Sequence, residues 1–264
     1  MAHAETMPYP SIYMHIFERA QIFDYLVEET AQLFSSEYGF WGPEAANKIG
    51  PFAKQGYRVK MSPARVRKEC VPEDGDTILI LARADFTELA GHAYATFWEH
   101  EGRRVGWITQ LCVKAKYRKQ GLATRMLRAI KQQEERCTSF GILSSHPAAI
   151  MATSRAFGHG IEQVDLAFIK DHAAAIMSNS PVNYVKTAAL RGPLFRGNEG
   201  NSSEGSVCCA FTNFFVDHGE VNEAMANVRK RLAWPFGELP EGCEYLAQFE
   251  TGAGHDSPHK HMLP

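Results

Sequence analysis

No apolar run in this 264-residue chain approaches the roughly 18 residues that a membrane-spanning helix needs. The opening stretch MAHAETMPYP lacks an apolar core and does not read as a secretory signal. The six cysteines (Cys70, Cys112, Cys137, Cys208, Cys209 and Cys243) form no Cys-x-x-Cys pair and follow no regular spacing. That pattern argues for reduced thiols rather than a disulfide framework, and so for a cytoplasmic setting. Basic residues number 28 against 30 acidic ones, a formal net charge of −2, with no clustered lysine and arginine to grip a nucleic acid. Neither membrane nor nucleic acid is therefore expected as a partner. Histidines 255, 259 and 261 make a loose group in the tail, but a zinc site needs fixed geometry and four ligands, so no metal is expected. No internal repeat is visible.

What the chain does have is a concentrated pattern between residues 105 and 130, VGWITQLCVKAKYRKQGLATRMLRAI. Val105 to Val113 is rich in β-branched and aromatic residues and nearly uncharged, as in a buried strand. Leu122, Met126, Leu127 and Ile130 fall at the spacing of an amphipathic helix. The basic loop between them, Lys114 to Gln120, ends in Gly121. A strand, a basic loop and a glycine opening a helix make an anion site: the first helical amides have no internal partner, and the macrodipole makes that end positive. Gly121 lets the backbone approach a phosphate, Ala123 keeps the next turn small, and the Thr124 hydroxyl is free to donate. Arg118 and Lys119 add charge for a diphosphate. The Gly-x-Gly-x-x-Gly and Gly-x-x-x-x-Gly-Lys-Ser/Thr spacings of dinucleotide and P-loop sites are missing.

The hexapeptide Arg118-Lys119-Gln120-Gly121-Leu122-Ala123 resembles the Gln/Arg-x-x-Gly-x-Gly/Ala signature of the GNAT superfamily of acyl-CoA-dependent N-acyltransferases. Leu111-x-Val113 and Tyr117-Arg118 stand at the family's spacing upstream. The resemblance implies an α/β (α+β) fold: a central, mixed, mostly antiparallel twisted sheet flanked by helices and splayed between its fourth and fifth strands. It implies acetyl-CoA as acyl donor, the main chain of Leu111, Cys112 and Val113 along the pantetheine arm, and the amides of residues 118–124, Leu122 included, on the pyrophosphate.

Elsewhere the chain reads as a strand over 11–17, a helix over 18–34 and an aromatic loop over 35–52. A second helix is announced by the cap-and-proline pair Ser62-Pro63 and runs to Cys70. Strands follow at 77–84 and 90–100, the latter turning at 101–104 into Val105 as a hairpin. Residues 140–145 read as a short strand and 147–157 as a helix with proline at its first position and Gly158 at its end. Residues 164–172 and 181–185 carry no clear pattern. Residues 196–205 form a polar, glycine-rich loop and a plausible lid. A strand over 207–216 is apolar enough to close the same sheet, and it is followed by a helix over 220–232 and a last strand over 244–249. The element order matches the GNAT order over about residues 10–217. Residues 1–250 read as one domain with a C-terminal strand-helix extension, and 251–264 as a disordered tail.

The reaction such a slot supports is direct attack of a neutral amine on the thioester in a ternary complex, which needs a group to deprotonate the ammonium and a group to reprotonate sulfur. The sequence departs from the family on both. A glutamate is common on the fourth strand, and this strand offers Trp107, Thr109 and Gln110. A tyrosine is common in the helix after the fifth strand, and this helix has Thr153 and Ser154. His146, at the front of that helix, reads either as its cap or as the base, and Ser154 is the candidate donor to sulfur. Ser145 suits the pantetheine amides, a role the family gives to an asparagine. His92 and His100 lie where alternation turns either one to the cleft or away. Tyr38, Phe40 and Trp41 with Glu37 make either an acceptor wall or inward core. The expectation is an N-acetyltransferase acting on a primary amine of a small molecule. A protein or peptide acceptor and a non-catalytic acyl-CoA-binding module stay open, as does assembly, for which a homodimer is compatible.

Overall fold

The computed structural model describes residues 10–195 and 208–251. The polar loop over 196–205 and the histidine-bearing tail lie outside the described residues. One eight-stranded sheet organises the chain. In chain order the elements are β1 (Ile12–Glu18), α1 (Asp24–Glu37), α2 (Ala45–Lys48), α3 (Pro63–Cys70), β2 (Asp76–Ala84), β3 (Glu88–His100), β4 (Arg103–Val113) and α4 (Leu122–Gln133). They continue with β5 (Cys137–Ser144), α5 (Pro147–Phe157), α6 (Leu166–Ser178), α7 (Asn183–Thr187), β6 (Ala189–Arg191), β7 (Cys209–Phe211), α8 (Gly219–Arg229) and β8 (Cys243–Glu250). The sheet order is β1-β2-β3-β4-β5-β8-β7-β6, and among the described residues β4 with β5 is the one parallel pair. This is the mixed, mostly antiparallel α/β sheet that the GNAT resemblance implies.

Local chemistry explains most boundaries. Ser62 accepts the Arg65 amide and Pro63 opens α3, so a hydroxyl cap and a preset φ start that helix together. Asp165 accepts the Phe168 amide at 2.9 Å and starts α6 in the segment that carried no clear pattern. Helices α4 and α5 lie side by side against the sheet, with Met126, Leu127, Ile130 and Ile150 fully buried. Helices α1 and α3 cover strands β3 and β4, where Leu26, Val27, Val66, Leu79 and Tyr94 form a second core.

Two expectations need correction, and two segments left open are filled in. The first helix begins at Asp24, because β1 runs through Glu18 and a short 3-10 turn follows it. Residues 164–172 and 181–185 fall largely within α6 and α7. The expected strand over 207–216 pairs only at Cys209–Phe211. Asn213 then takes φ +59°, which breaks the extended run, and Phe214, Phe215 and Val216 pack with Trp41 and Phe34 instead. The strand beside β5 is β8, paired from Ser139–Glu250 to Ser144–Tyr245. The C-terminal extension thus supplies an interior strand of the sheet.

Candidate active site

Strands β4 and β5 pair from Arg104–Cys137 to Ile108–Ile142 and then part. Each keeps its outer neighbour beyond that point: β4 pairs with β3 to Gly91–Val113, and β5 with β8 to Ser144–Tyr245. A slot with two rigid walls results. At its inner end the β3–β4 register steps from Ala95–Ile108 to Tyr94–Gln110, leaving Thr109 as a bulge with no partner across the ladder. The Lys114 amide bonds the Ala90 carbonyl, which fixes the alternation. Residues 110, 112 and 114 bond β3, and Thr109, Leu111 and Val113 turn their main-chain groups toward the slot. Two of those three carbonyls are taken, Thr109 by the Tyr184 hydroxyl at 3.1 Å and Val113 by Arg118 Nε at 3.0 Å. Leu111 keeps both groups for a ligand. Cys112 points the other way into the α1 core, where burial pushes its thiol up to about 12. All six cysteines are free and buried.

Beyond β4 the chain reaches the front of α4. Gly121 sits at φ +77°, and a Cβ there would meet nothing within 4 Å. Helix α4 has no side-chain cap. Among the described residues no acceptor reaches the amides of residues 119 to 124; the first helical bond is Arg125 to Gly121. Leu122 is buried beneath the turn and anchors it, while Ala123 and Thr124 are half-buried on its rim. These are the open amides and unobstructed approach that a diphosphate requires. The loop's side-chain cations are less free than the sequence suggests. Lys114 and Lys116 both bind Glu88 at 2.6 Å, joined by the Tyr117 hydroxyl, and those three donors hold the Glu88 carboxyl down at about 2. Arg118 reaches the Val113 and Glu37 carbonyls and the Glu220 carboxylate. Gln120 bonds the Lys116 carbonyl. Lys119 stands exposed at φ +61°.

On the opposite lip, His146 caps α5: its Nδ1 accepts the Ala148 amide at 3.1 Å. A capping Nδ1 must be unprotonated, so Nε2 carries the hydrogen and the ring is neutral. Burial lowers its pKa, opposed by Glu220 and reinforced by Arg118. To take a proton at Nδ1 the ring must release its own helix. Ser154 lies eight residues further, about 12 Å along the axis. It is fully buried, donates to the Met151 carbonyl at 3.0 Å, and borders a hollow of about 170 Å³ with Met151, Arg155 and His159 at the far end of α5.

Of the titratable groups packed around the slot, Tyr38 is a sequence candidate for the acceptor wall, and Glu244 and Tyr184 were not singled out from sequence. Glu244, on β8 one step beyond the Ser144–Tyr245 pair, is buried. Burial pushes its carboxyl up to about 7, the Thr212 hydroxyl pulls back, and the charge of Glu69 adds to the rise. Tyr38, just past α1, feels burial first and then Glu244, and both push its phenol well above the ordinary range, while Ser145 pulls the other way. Tyr184 is raised as well, by burial and then by neighbouring thiol and carboxylate charge including Glu244. Both tyrosines are deeply enclosed yet retain accessible surface, as side chains lining a crevice do. A glutamate and a glutamine in the otherwise apolar strand CEYLAQF were the one sequence signal that could have pointed here.

The remaining candidates sit elsewhere. His92 is fully buried beside Gln110 at 2.7 Å, and burial pushes it down to about 4 despite that bond. His100 lies at the hairpin turn, 4.0 Å from Glu101. Trp41 is core, Phe40 is exposed under Arg58, and Glu37 accepts the Ala115 amide at 2.8 Å, so of the first-loop residues Tyr38 alone reaches the slot. Among the described residues no helix is long and apolar enough to cross a membrane.

The sequence model of the acetyltransferase (GNAT) family matches residues 23–175, more than half of the chain. The chain belongs to the GNAT family. Its reaction is acetyl-CoA-dependent acetyl transfer, and an open helix front beside a split sheet fits that donor. Similar solved structures include a GNAT family N-acetyltransferase from Escherichia coli in complex with CoA, at 15% identity over 63% of this chain and 75% of that one, TM-score 0.39. An aminoglycoside acetyltransferase from an uncultured soil metagenomic sample, in complex with sisomicin, is 12% identical over 55% and 86%, TM-score 0.37. The NatC complex bound to Gag peptide and CoA is 14% identical over 54% and 80%, TM-score 0.37. No curated protein matches the chain.

Proposed function

We propose that this GNAT acetyltransferase acylates a primary amine of a small molecule by direct attack in a ternary complex. The reading is supported by a buried glutamate, Glu244, on the strand beside β5: burial raises its carboxyl to about 7, and its charge bears on Tyr38 and Tyr184 next to a slot that opens onto a bare helix front. Acetyl-CoA supplies an activated acetyl thioester. The amides of residues 119–124 hold its diphosphate, the main chain of Leu111 to Val113 lies along the pantetheine arm, and Ser145 bonds the arm from the other wall. Arg118 braces the loop through the Val113 and Glu37 carbonyls and turns its remaining nitrogen to Glu220 at the mouth, and Lys119 adds further charge.

Glu244 takes the proton of the incoming ammonium. A carboxyl near 7 is half ionised at neutral pH and still basic enough to work, which is the compromise that proton transfer favours. The raised phenol of Tyr38 keeps its hydrogen at neutral pH and is the candidate to return a proton to the leaving sulfur. Tyr184 also keeps its hydrogen, but it is held by the Thr109 carbonyl, and it reaches the thioester only by releasing that bond. His146 holds α5, and Ser154 is too far along the helix for the chemistry. The acceptor wall is built from Tyr38 and Phe214, 5.6 Å apart, and is stitched shut by Gly42 on Phe215 and Asp217 on Phe40. That aromatic wall suits an amine with an apolar body. A thiol-release screen with acetyl-CoA against small amines, polyamines, amino acids and peptides tests this. Turnover confined to peptide N-termini or lysine side chains overturns the small-molecule acceptor.

A further inference from the structure

The outer mouth of the slot carries a feature that the transfer chemistry does not use. One carboxylate oxygen, Glu220 Oε1 in the first turn of α8, lies 3.0 Å from Arg118 and 3.9 Å from Nε2 of His146. Arg118 belongs to the lip after β4 and His146 to the lip after β5, so a single side chain spans the opening. The other guanidinium contacts of Arg118 go to its own scaffold: the Val113 and Glu37 carbonyls, with the Glu37 carboxylate 3.9 Å from the same nitrogen that bonds the Glu37 carbonyl. The Arg118 nitrogen that Glu220 holds is the one with no main-chain partner. Position favours the carboxylate as well, because the positive end of α8 lies beside it. Yet the pair is open to water, with 60% of the Glu220 side chain and 34% of the Arg118 side chain exposed, and ion pairs so exposed are easily exchanged.

We propose that Glu220 is a built-in competitor of the donor's anion: it pairs with Arg118 at the slot's mouth until acyl-CoA arrives, and donor binding exchanges this carboxylate for the diphosphate. The inference rests on the donor site described above. It makes Glu220 a positioning residue that limits donor affinity, and it distinguishes this chain from one whose loop arginine is free.

The test is calorimetric titration of acetyl-CoA into the full-length protein, its Glu220→Gln and Glu223→Gln variants, and Gly121→Val. Glu223 is an exposed carboxylate one turn along the same helix and controls for the general field. Glu220→Gln should bind acetyl-CoA about three- to tenfold more tightly, with Glu223→Gln within twofold of the parent. Unchanged or weaker binding by Glu220→Gln overturns the competitor and leaves a plain strut, and equal tightening by Glu223→Gln reduces it to bulk charge. If Gly121→Val binds as the parent does, or the parent does not bind, the donor site itself fails and the inference falls with it. Gly121→Val losing affinity while Glu220→Gln stays level removes the competitor alone. Thermal melts of all variants confirm that folded protein is compared.

Discussion

The Tyr184 hydroxyl donates to the Thr109 carbonyl at 3.1 Å, so a helix 75 residues downstream satisfies the one β4 residue that has no partner across the ladder. A phenol delivered to the point where two strands part is placed for chemistry as well as for support. Tyr184→Phe removes one hydrogen bond, and stability should fall by about 1 kcal/mol. If the phenol also steadies charge in the slot, kcat should drop on the order of tenfold to a hundredfold. Steady-state kinetics beside a thermal melt separate the two effects, and an unchanged kcat restricts Tyr184 to support.

Glu244 makes opposite predictions for activity and stability. As the base it works when ionised, so kcat/KM should rise with pH through about 7, and Glu244→Gln should lower kcat by roughly 10² to 10⁴ and erase that limb. Its folded pKa lies above the usual 4.5, so the folded state holds the proton more tightly than the unfolded one. Stability should then decline as pH rises from about 4.5 to about 7, by about 3 kcal/mol at most. The glutamine variant escapes that loss and should melt higher than the parent at pH 8. A variant both slower and less stable at pH 8 sinks the assignment.

The contrast between Gly121 and Glu244 explains how much of the site the sequence displayed. The cradle is local: a strand, a turn at φ +77° and a helix front within twenty residues, each with its own residue preference. Periodicity carried the strands and helices through Phe157 for the same reason. Glu244 reaches the slot only because β8 pairs with β5 from about a hundred residues away, and no short pattern encodes that pairing. Apolar content suggested the 207–216 segment for a place in the sheet, yet Asn213 at positive φ turns it aside. The amphipathic seam of α6 was hidden by its run of alanines.

At Gly121 the left-handed turn and the empty space before it act together. Any Cβ is strained by about 1–2 kcal/mol there, and a branched one projects into the approach to the helix amides. Gly121→Val should lose acetyl-CoA affinity by more than tenfold, read by calorimetry, while the melting temperature falls only slightly. Retained affinity removes the main-chain cradle.

His146 separates capping from proton transfer, because one atom cannot do both. Nδ1 accepts the Ala148 amide, and a protonated ring has no lone pair to accept with. His146→Ala should therefore cost about 0.5–2 kcal/mol of stability, the usual loss for a missing helix cap. Burial lowers the folded pKa of this ring, so its contribution is present above the ordinary imidazole range and is lost as pH falls below it. Asparagine offers a side-chain oxygen to the same amide, and His146→Asn should recover both the melting temperature and most of the turnover. Recovery of stability without turnover would mean that the imidazole moves protons after all, with α5 fraying at each cycle to let it do so.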